Sequence, residues 1–171
     1  KKIRVNRIHI EEDAGKLIHD DLKGIRLADY NRRSVPLIEI VTEPDITNGE
    51  DARAFVEEVA ARLRYAGVCD AKMEEGSLRC DVNISLKPEG SEVFGTRAEI
   101  KNLNSFKSIV RAIEYEIKRQ KDILERGDRV IQETRRFNDS NGKTTSMRSK
   151  EEAHDYRYFP EPDIPPMKFS D

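Results

Sequence analysis

The hydrophobic pattern of the chain alternates between segments with a period of two and segments with a helical period. The clearest period of two runs over 78–86, where every second residue from Leu78 to Leu86 is apolar and the residues between them are polar. A strand with this pattern buries one face and leaves the other face polar. Further strands are predicted over 3–12, 35–41, 96–103, 130–137 and 143–149, the last two joined by a turn-rich segment at 138–142.

Two segments have apolar residues at helical spacing. In the first, Thr47 and Glu50 form a capping box ahead of the apolar positions, and Gly67 follows the last of them. In the second, either Asn104 or Ser105 is expected to cap the helix, because both side chains can accept a hydrogen bond from a free amide of the first turn. The pattern therefore predicts two long amphipathic helices.

These elements predict an α+β fold. Strands outnumber helices and follow one another without regular helical crossovers, so we expect a largely antiparallel sheet with two long helices on one face. The other face of that sheet would be free for a site. The apolar pattern changes phase between Val5 and Ile8, which predicts a bulge in the first strand, and residues 14–34 are expected to form a loop or an irregular hairpin.

Composition limits the class of protein. The 171 residues are a one-domain length, 37% of them are charged, and no apolar run approaches the roughly 20 residues needed to cross a membrane. With 31 basic and 33 acidic residues the net charge is −2, which argues against indiscriminate binding of polyanions. Cys69 and Cys80 do not form a metal-binding or disulfide framework, so we expect free thiols in a reducing compartment, the cytoplasm.

The ends of the sequence indicate a part of a longer protein. It begins at Lys1, without a methionine or a secretory leader, inside a predicted strand, and four of its seven prolines lie in the last dozen residues. We therefore expect residues 1–171 to be a partial domain, with residues 160–171 as an extended, proline-rich exit from it.

Carboxylates at predicted strand ends are the main candidates for chemistry. They are Glu11, Glu12, Asp13, Glu39, Glu43, Glu74, Glu75 and Asp81. Hard oxygen ligands without a cysteine or histidine cluster favour Mg²⁺ over zinc. Glu39 stands out because it lies inside an apolar run and is expected to be buried, where a carboxylate needs a cation or several donors. His9 shares a strand face with Glu11. The alternatives are solvated carboxylates and a histidine that is hydrogen-bonded within the sheet.

Two further segments have the chemistry to bind phosphate. The polar face of the strand at 78–86 carries Arg79, Asp81, Asn83 and Ser85. Residues 101–104, KNLN, precede a helix N-terminus, whose free amides and dipole favour an anion. A solvated sheet face and simple capping by Asn104 are the alternatives. The sequence contains neither a Walker loop nor a dinucleotide-binding glycine motif, so a nucleotide site would need another architecture.

A basic patch occupies the predicted hairpin near the end of the chain. Between positions 129 and 150 it consists of Arg129, Arg135, Arg136, Lys143, Arg148 and Lys150, against only Glu133 and Asp139. Arg157 follows among aromatic residues. Such a patch is typical of binding to a phosphate backbone, although a solvated charged hairpin has the same composition. Pattern and composition together indicate a metal-dependent, phosphate-handling α+β domain.

Seven ordered motifs resemble those of the B subunits of tRNA-dependent amidotransferases. They are RIHIEEDAGK, DYNRRSVPLIEIVTEPD, KMEEGSLRCDVNISL, GTRAEIKNLNSF, QETRRF, MRSKE and DYRYFPEPD. The resemblance covers essentially the whole chain. The related archaeal E subunits share part of the pattern, but the ungapped run without an inserted domain favours the B subunits.

The resemblance implies a fold and a reaction. The central cradle domain of this family resembles the catalytic fold of glutamine synthetase and the guanido kinases. Using ATP and Mg²⁺, it phosphorylates the side-chain carboxylate of Glu-tRNA(Gln) or Asp-tRNA(Asn), and ammonia then displaces the phosphate. The amidase, or A, subunit releases that ammonia from glutamine, and the C subunit holds the amidase and B subunits together. The expected partners are therefore the A and C subunits and mischarged tRNA(Gln), tRNA(Asn) or both.

The resemblance also implies residue roles by motif position. The metal ligands would be Glu11, Glu12 and Glu39, and strand parity with His9 favours Glu11 over Glu12. Asp81 and Asn83 would line the site or the ammonia exit, and Arg79 and Lys101 would contact phosphate. The residues expected to bind ATP or the acyl phosphate are Lys101, Asn102, Asn104 and Arg157, with Arg157 also in the catalytic set. Arg135 and Arg148 would bind tRNA.

Two departures from the family pattern affect these expectations. The N-terminal portion and the C-terminal helical and tail domains of the family are absent from this sequence, so the chain alone is expected to be inactive. Ser34 stands where the family usually has glycine, which affects the local backbone of that turn.

The alternative function is a module that binds the acceptor end of tRNA without its own catalytic centre. The acidic residues argue against it, since a pure RNA-binding face would not gather carboxylates.

Overall fold

The computed structural model describes residues 1–14, 16–20 and 23–149. In chain order the elements are β1 (Val5–Glu12), β2 (Lys16–Asp20), β3 (Ile25–Asp29), β4 (Pro36–Thr42), α1 (Gly49–Tyr65), β5 (Val82–Ile84), β6 (Ala98–Lys101), α2 (Phe106–Glu125), β7 (Glu133–Asn138) and β8 (Lys143–Ser149). Neither helix in this part of the chain has the length and apolar character to cross a membrane. Arg157 and the proline-rich residues 160–171 lie outside the described residues.

The strands of the described residues form three sheets. β1 pairs with β4 and β2 with β3, both antiparallel, and a four-stranded sheet has the order β5-β6-β7-β8. β6 and β7 are parallel, because α2 crosses between them and returns the chain in the same direction. The α+β class is confirmed. The largely antiparallel pairing is confirmed for the described residues, since β6 and β7 form the one parallel pair among them. The expectation of a single sheet is wrong, because the first four strands pair separately from the other four.

The hydrophobic core contains side chains from α2 and from the four-stranded sheet. Its fully buried large apolar side chains are Ile100, Ile109 and Phe137. Ser105 is the N-cap of α2, and its hydroxyl accepts a hydrogen bond from the Ser108 N–H at 3.1 Å. Asn104 is exposed. Of the two predicted caps, Ser105 is therefore the one that is used.

Helix α1 begins one residue later than its capping box predicts. Asn48 is the N-cap, and its side-chain oxygen accepts a hydrogen bond from the Asp51 N–H at 2.8 Å. The hydroxyl of Thr47 instead accepts a hydrogen bond from Lys1 Nζ at 2.9 Å. The helix ends just before Gly67, whose φ of +69° confirms the predicted stop.

The two helices pack against each other. At the contact, a Cβ on Gly49 would lie 3.1 Å from the Cα of Val110, so the close approach leaves little room for a larger residue. Ala52 of α1 joins the buried core, and Val56 packs against it. α1 thus contributes to the same core as α2.

β5 and β6 keep the predicted alternation but are shorter than predicted, at three and four residues. Val82 and Ile84 pack against the core, while Asn83 between them is exposed. Cys80 also packs against the core, and its burial raises the pKa of the thiol to about 12. The thiol therefore stays protonated at neutral pH and is a poor nucleophile. Asn83 lies on the face of this sheet that points away from α2, and we call this face the outer face.

β1 and β4 form a two-stranded ribbon with two dissimilar faces. A register shift near the start of β1 confirms the predicted bulge. One face, the isoleucine face, consists of Ile8, Ile10, Ile38 and Ile40 in opposed pairs. Ile10 is 79% exposed. The apolar run of β4 is therefore only partly covered in the described structure, because a two-stranded ribbon leaves most of both faces open.

The segment before β4 contains a hairpin and a tight turn. β2 and β3 pair with each other, which confirms the irregular hairpin as the better of the two alternatives for 14–34. Ser34 has a φ of 62°, in the left-handed region that favours glycine. Its N–H donates to the carbonyl oxygen of Asp13 at 2.9 Å, so this turn is tied to the end of β1. Serine thus adopts a backbone conformation that glycine would accept at lower cost.

Candidate functional site

Three side chains that can bind a cation meet on the second face of the β1–β4 ribbon. His9 lies directly opposite Glu39, and Glu11 is two residues further along the same side of β1. One ligand atom from each of these residues lies within 4.8 Å of the other two. All three residues are exposed. We call this group the cation cluster, and it is open to ligands from solution.

Glu12 is not a member of the cation cluster. It follows Glu11 directly, so the pleat of the strand turns it to the isoleucine face, and its Cα partner is Pro36. The structure therefore brings Glu11, and not Glu12, to His9 and Glu39, as strand parity indicates. The burial expected for Glu39 is wrong, since its side chain is 44% exposed.

The donor set of the cation cluster fits a divalent metal. Two carboxylates suit Mg²⁺ or Mn²⁺, and an imidazole nitrogen is a common third ligand for divalent metals. Two nitrogen-bearing side chains lie beside Glu39, with Arg7 Nη2 at 3.6 Å and His9 Nδ1 at 3.7 Å from its Oε2. Because Mg²⁺ in proteins usually keeps several waters or substrate oxygens, an exposed three-residue site is suited to it.

Asp13 binds two arginines just beyond the cation cluster. Its Oδ2 accepts a hydrogen bond from Arg32 Nε at 2.7 Å, and Arg79 Nη2 lies 3.9 Å from the same oxygen. The hydrogen bond from Arg32 lowers the pKa of Asp13 below its ordinary value, although desolvation opposes this effect. The structure thus places Arg79, a predicted phosphate contact, against a carboxylate that follows the metal-ligand candidates in sequence.

Lys101 and Asp81 form an ion pair on the outer face of the four-stranded sheet. Lys101 Nζ lies 2.8 Å from Asp81 Oδ2 and 3.4 Å from Glu99 Oε1. Burial alone would lower the pKa of Lys101, but its hydrogen bond to Asp81 and the charges of both carboxylates raise it overall. Asn83 lies opposite Glu99 in the β5–β6 register. The predicted residues Asp81, Asn83 and Lys101 are therefore brought together.

Asn102 and Asn104 lie at the corner between β6 and α2. Asn102 has a φ of 69°, and its side-chain nitrogen donates to the carbonyl oxygen of Phe137 at 2.9 Å. This bond ties the corner to β7. Near the start of α2, the hydroxyl of Ser108 donates to Asp139 Oδ1 at 2.7 Å, so a carboxylate already lies beside the helix N-terminus. Binding of ATP by Asn102 and Asn104 stays a prediction, and the observed contact of Asn102 is structural.

Arg135 is buried, and the expectation that it lies on an exposed hairpin is wrong. In β7 it has the same parity as Phe137, so it points to the side of α2. Its guanidinium donates to Thr144 and to Glu133. Arg136 is the exposed neighbour, and its Cα partner in β6 is Lys101. The sequence contains a signal that distinguishes the two arginines: Arg135 is two residues from the apolar Phe137 and so shares its face of the strand, whereas Arg136 lies on the other face.

The contacts of Arg135 belong to a buried ionic network between α2, β7 and β8. Glu116 is fully buried, 3.4 Å from Arg135 Nε, and it accepts hydrogen bonds from Arg119 Nε at 3.0 Å and from the hydroxyl of Thr144 at 3.1 Å. Burial alone would raise the pKa of Glu133, but hydrogen bonds from Ser146 and Arg135 hold it below its ordinary value. These four charges pair with one another and connect α2 to β7.

Two further predicted arginines, Arg148 and Arg157, belong to the last part of the chain. The Cα of Arg148 pairs with that of Thr134 in the β7–β8 register. The side chain of Arg148 and the whole of Arg157 lie outside the described residues, so their roles with tRNA and ATP stay predictions.

Comparison with known proteins identifies what the chain is similar to. The family model described as "GatB/GatE catalytic domain" matches residues 1–171. The chain is 63% identical over 171 residues to the B subunit of the aspartyl/glutamyl-tRNA(Asn/Gln) amidotransferase of Caldicellulosiruptor saccharolyticus, which covers 100% of the chain and 36% of that protein. It is 60% identical over 169 residues to the protein of the same name from Ruminiclostridium cellulolyticum, covering 99% of the chain and 35% of that protein. The chain thus spans just over a third of the length of these relatives.

Proposed function

The chain belongs to the GatB/GatE catalytic-domain family, and we propose that it is the part of an amidotransferase B subunit that activates the acyl group of a mischarged tRNA. In this reaction a side-chain carboxylate oxygen of Asp-tRNA(Asn) or Glu-tRNA(Gln) attacks the terminal phosphorus of ATP, and ADP leaves. Ammonia then attacks the acyl carbon of the acyl phosphate. Inorganic phosphate leaves, the nitrogen loses a proton, and an amide is formed.

The observation that carries this proposal is the convergence of His9, Glu11 and Glu39 on one face of the β1–β4 ribbon. A Mg²⁺ ion held there would neutralise charge on the phosphoryl group during its transfer. Glu11 and Glu39 would supply two carboxylates to such an ion, and His9 would supply a ring nitrogen. Because the three groups are exposed, they leave room for phosphate oxygens and water around the ion.

Two cationic side chains, Arg79 and Lys101, give the second support. Arg79 is 67% exposed, so its guanidinium can reach a phosphate without unfolding any element. Lys101 has a raised pKa and therefore carries its positive charge at neutral pH. In the proposal Arg79 binds phosphate oxygens, while the Lys101–Asp81 pair, with Asn83, forms a polar wall on the outer face of the sheet. Phosphoryl transfer depends on such positioned charges more than on covalent chemistry.

The remaining parts of the proposed reaction belong to other molecules. The amidase (A) subunit would supply ammonia from glutamine, the C subunit would hold the amidase and B subunits together, and the tRNA would be tRNA(Gln), tRNA(Asn) or both. The relatives are named as B subunits of aspartyl/glutamyl-tRNA(Asn/Gln) amidotransferases, which supports a complex of several subunits that acts on these tRNAs. Because the chain spans 36% of such a protein, the proposed activity belongs to the complete complex.

The test is the substitution Glu39→Gln in the complete amidotransferase. This change removes one charged ligand and keeps the size of the side chain. We expect ATP-dependent amidation to be lost, while glutaminase activity stays close to that of the wild type. The matched control is Glu57→Gln on α1, because Glu57 is 46% exposed and also pairs with an arginine, at 3.4 Å. Near-normal amidation in Glu39→Gln would contradict the proposal and favour a tRNA-binding module without a catalytic centre.

A further inference from the structure

Asp13 connects three segments of the chain that are far apart in sequence. It lies one residue beyond β1, Arg32 lies in the turn before β4, and Arg79 lies three residues before β5. Arg32 Nε donates to Asp13 Oδ2 at 2.7 Å, and Arg79 Nη2 is 3.9 Å from the same oxygen. The side chain of Asp13 is only 15% exposed, whereas both arginines are much more exposed. One sheltered carboxylate thus holds two guanidinium groups whose outer surfaces face solvent.

The backbone fixes Asp13 in this position. Its N–H donates to the carbonyl oxygen of Val35 at 2.9 Å, and its carbonyl oxygen accepts from the N–H of Ser34 at 2.9 Å. These bonds continue the pairing of β1 with β4 past the end of the strand. Asp13 therefore keeps the parity of His9 and Glu11, about 6–7 Å beyond Glu11 along the chain direction.

The charges at this position favour an anion. The two guanidinium groups and one carboxylate leave a net positive charge next to the acidic cation cluster. Arg79 is 67% exposed and 3.9 Å from Asp13, so this ion pair contributes little to stability and leaves N–H donors of Arg79 open to a ligand. Guanidinium groups bind phosphate oxygens through paired N–H donors, and a carboxylate behind them fixes their orientation.

We propose that Asp13 is a positioning residue that holds Arg32 and Arg79 as a phosphate-binding pair beside the cation cluster. The inference rests on the proposed function, and it adds Asp13 and Arg32 to the residues that bind the transferring phosphoryl group. Arg32 and Arg79 contact phosphate oxygens, and Asp13 acts only through them. The cation cluster and the arginine pair would then bind one polyphosphate from two neighbouring positions.

The experiment measures binding of a non-hydrolysable ATP analogue to the complete amidotransferase in EDTA, by equilibrium dialysis. Without a divalent cation, the arginine pair is tested separately from the cation cluster. We expect Arg79→Ala and Asp13→Asn each to weaken binding about tenfold, the loss typical of one charge-assisted hydrogen bond. The double variant should be weakened by clearly less than the hundredfold that two independent losses would give, because the part of the Asp13 effect that acts through Arg79 is already lost in Arg79→Ala. Asp13→Glu should recover part of the affinity.

The outcomes separate this inference from the proposed function. A double variant weakened about a hundredfold, or an Asp13→Asn variant that binds like the wild type, would overturn the positioning role. Because Arg79 is exposed, Arg79→Ala keeps the test valid if Asp13→Asn unfolds, and unchanged binding in Arg79→Ala would itself overturn the inference. Glu57→Gln on α1, outside the proposed site, should bind the analogue like the wild type in EDTA. If the wild-type complex does not bind the analogue with or without Mg²⁺, both the inference and the proposed function are wrong.

Discussion

Arg135 Nε lies 3.4 Å from Glu116 Oε2 on the buried side of β7, and the next residue, Arg136, is exposed. Removing one partner of a buried ionic network leaves the other charges without compensation. Arg135→Ala should therefore destabilise the protein by about 3–5 kcal/mol. Arg136→Ala should change stability by no more than about 0.5 kcal/mol. Urea denaturation measures both, and equal stabilities of the two variants would contradict the buried assignment.

Cation binding should distinguish neighbouring glutamates on β1. Glu11→Gln and His9→Ala should each weaken Mn²⁺ binding by about tenfold or more, since even partners outside the ligand shell contribute tenfold effects. Glu12→Gln should bind Mn²⁺ like the wild type, because Glu12 lies on the isoleucine face. Electron paramagnetic resonance of free Mn²⁺ during a titration of the complete complex measures the affinities. A larger loss in Glu12→Gln than in Glu11→Gln would reverse the assignment.

Replacing Ser34 by glycine should stabilise the protein. The left-handed backbone of Ser34 strains a residue with a Cβ, and glycine removes that strain at a cost in the entropy of the unfolded chain. The expected net gain is about 1 kcal/mol, since a left-handed residue other than glycine costs roughly 1–2 kcal/mol. Ser34→Ala is the control and should show no gain. The midpoint of thermal unfolding measures the effect, and a destabilised Ser34→Gly variant would contradict it.

The ion pair between Arg4 and Asp45 should make stability depend on acidic pH. Hydrogen bonds from the Arg4 side chain and N–H lower the pKa of Asp45 from 3.8 to about 2. Because the pKa is lower in the folded protein, the stabilisation is complete above pH 3.8 and disappears as the pH falls through about 2. Asp45→Asn should lose this part of the dependence. Thermal unfolding between pH 5 and pH 2, at roughly unit intervals, compares the two proteins, and identical slopes would exclude the pair as a contributor.

The sequence predicted the secondary structure and the buried face correctly in elements that have one side against the core. The alternation around Val82 and Ile84 and the helical face of α2 are enforced by burial, so both could be recognised. Because alternate residues of a strand lie on the same face, the sequence also indicated that Glu11, and not Glu12, shares a face with His9. Sequence reasoning failed at Glu39, because an apolar run on a two-stranded ribbon looks the same as a run in a covered sheet.

Other features depend on contacts between distant segments. The parallel pairing of β6 and β7 follows from the path of α2, and local pattern does not record which strands become neighbours. Arg135 was misassigned because a buried arginine is rare and depends on Glu116 and Glu133, which lie on two different elements. The link from Asp13 to Arg32 and Arg79 likewise exists only in the folded chain.

The proposed role of the cation cluster is to assist phosphorylation of the tRNA-bound carboxylate. The most direct measurement is the rate of ADP formation by the complete amidotransferase with Glu-tRNA(Gln) and ATP, without glutamine or ammonia, so that only the phosphoryl transfer is observed. Several kcal/mol of charge stabilisation depend on the bound cation, so Glu39→Gln should slow this step by about a hundredfold or more. Glu57→Gln should react like the wild type. A wild-type rate of ADP formation in Glu39→Gln would contradict this role of the cation cluster.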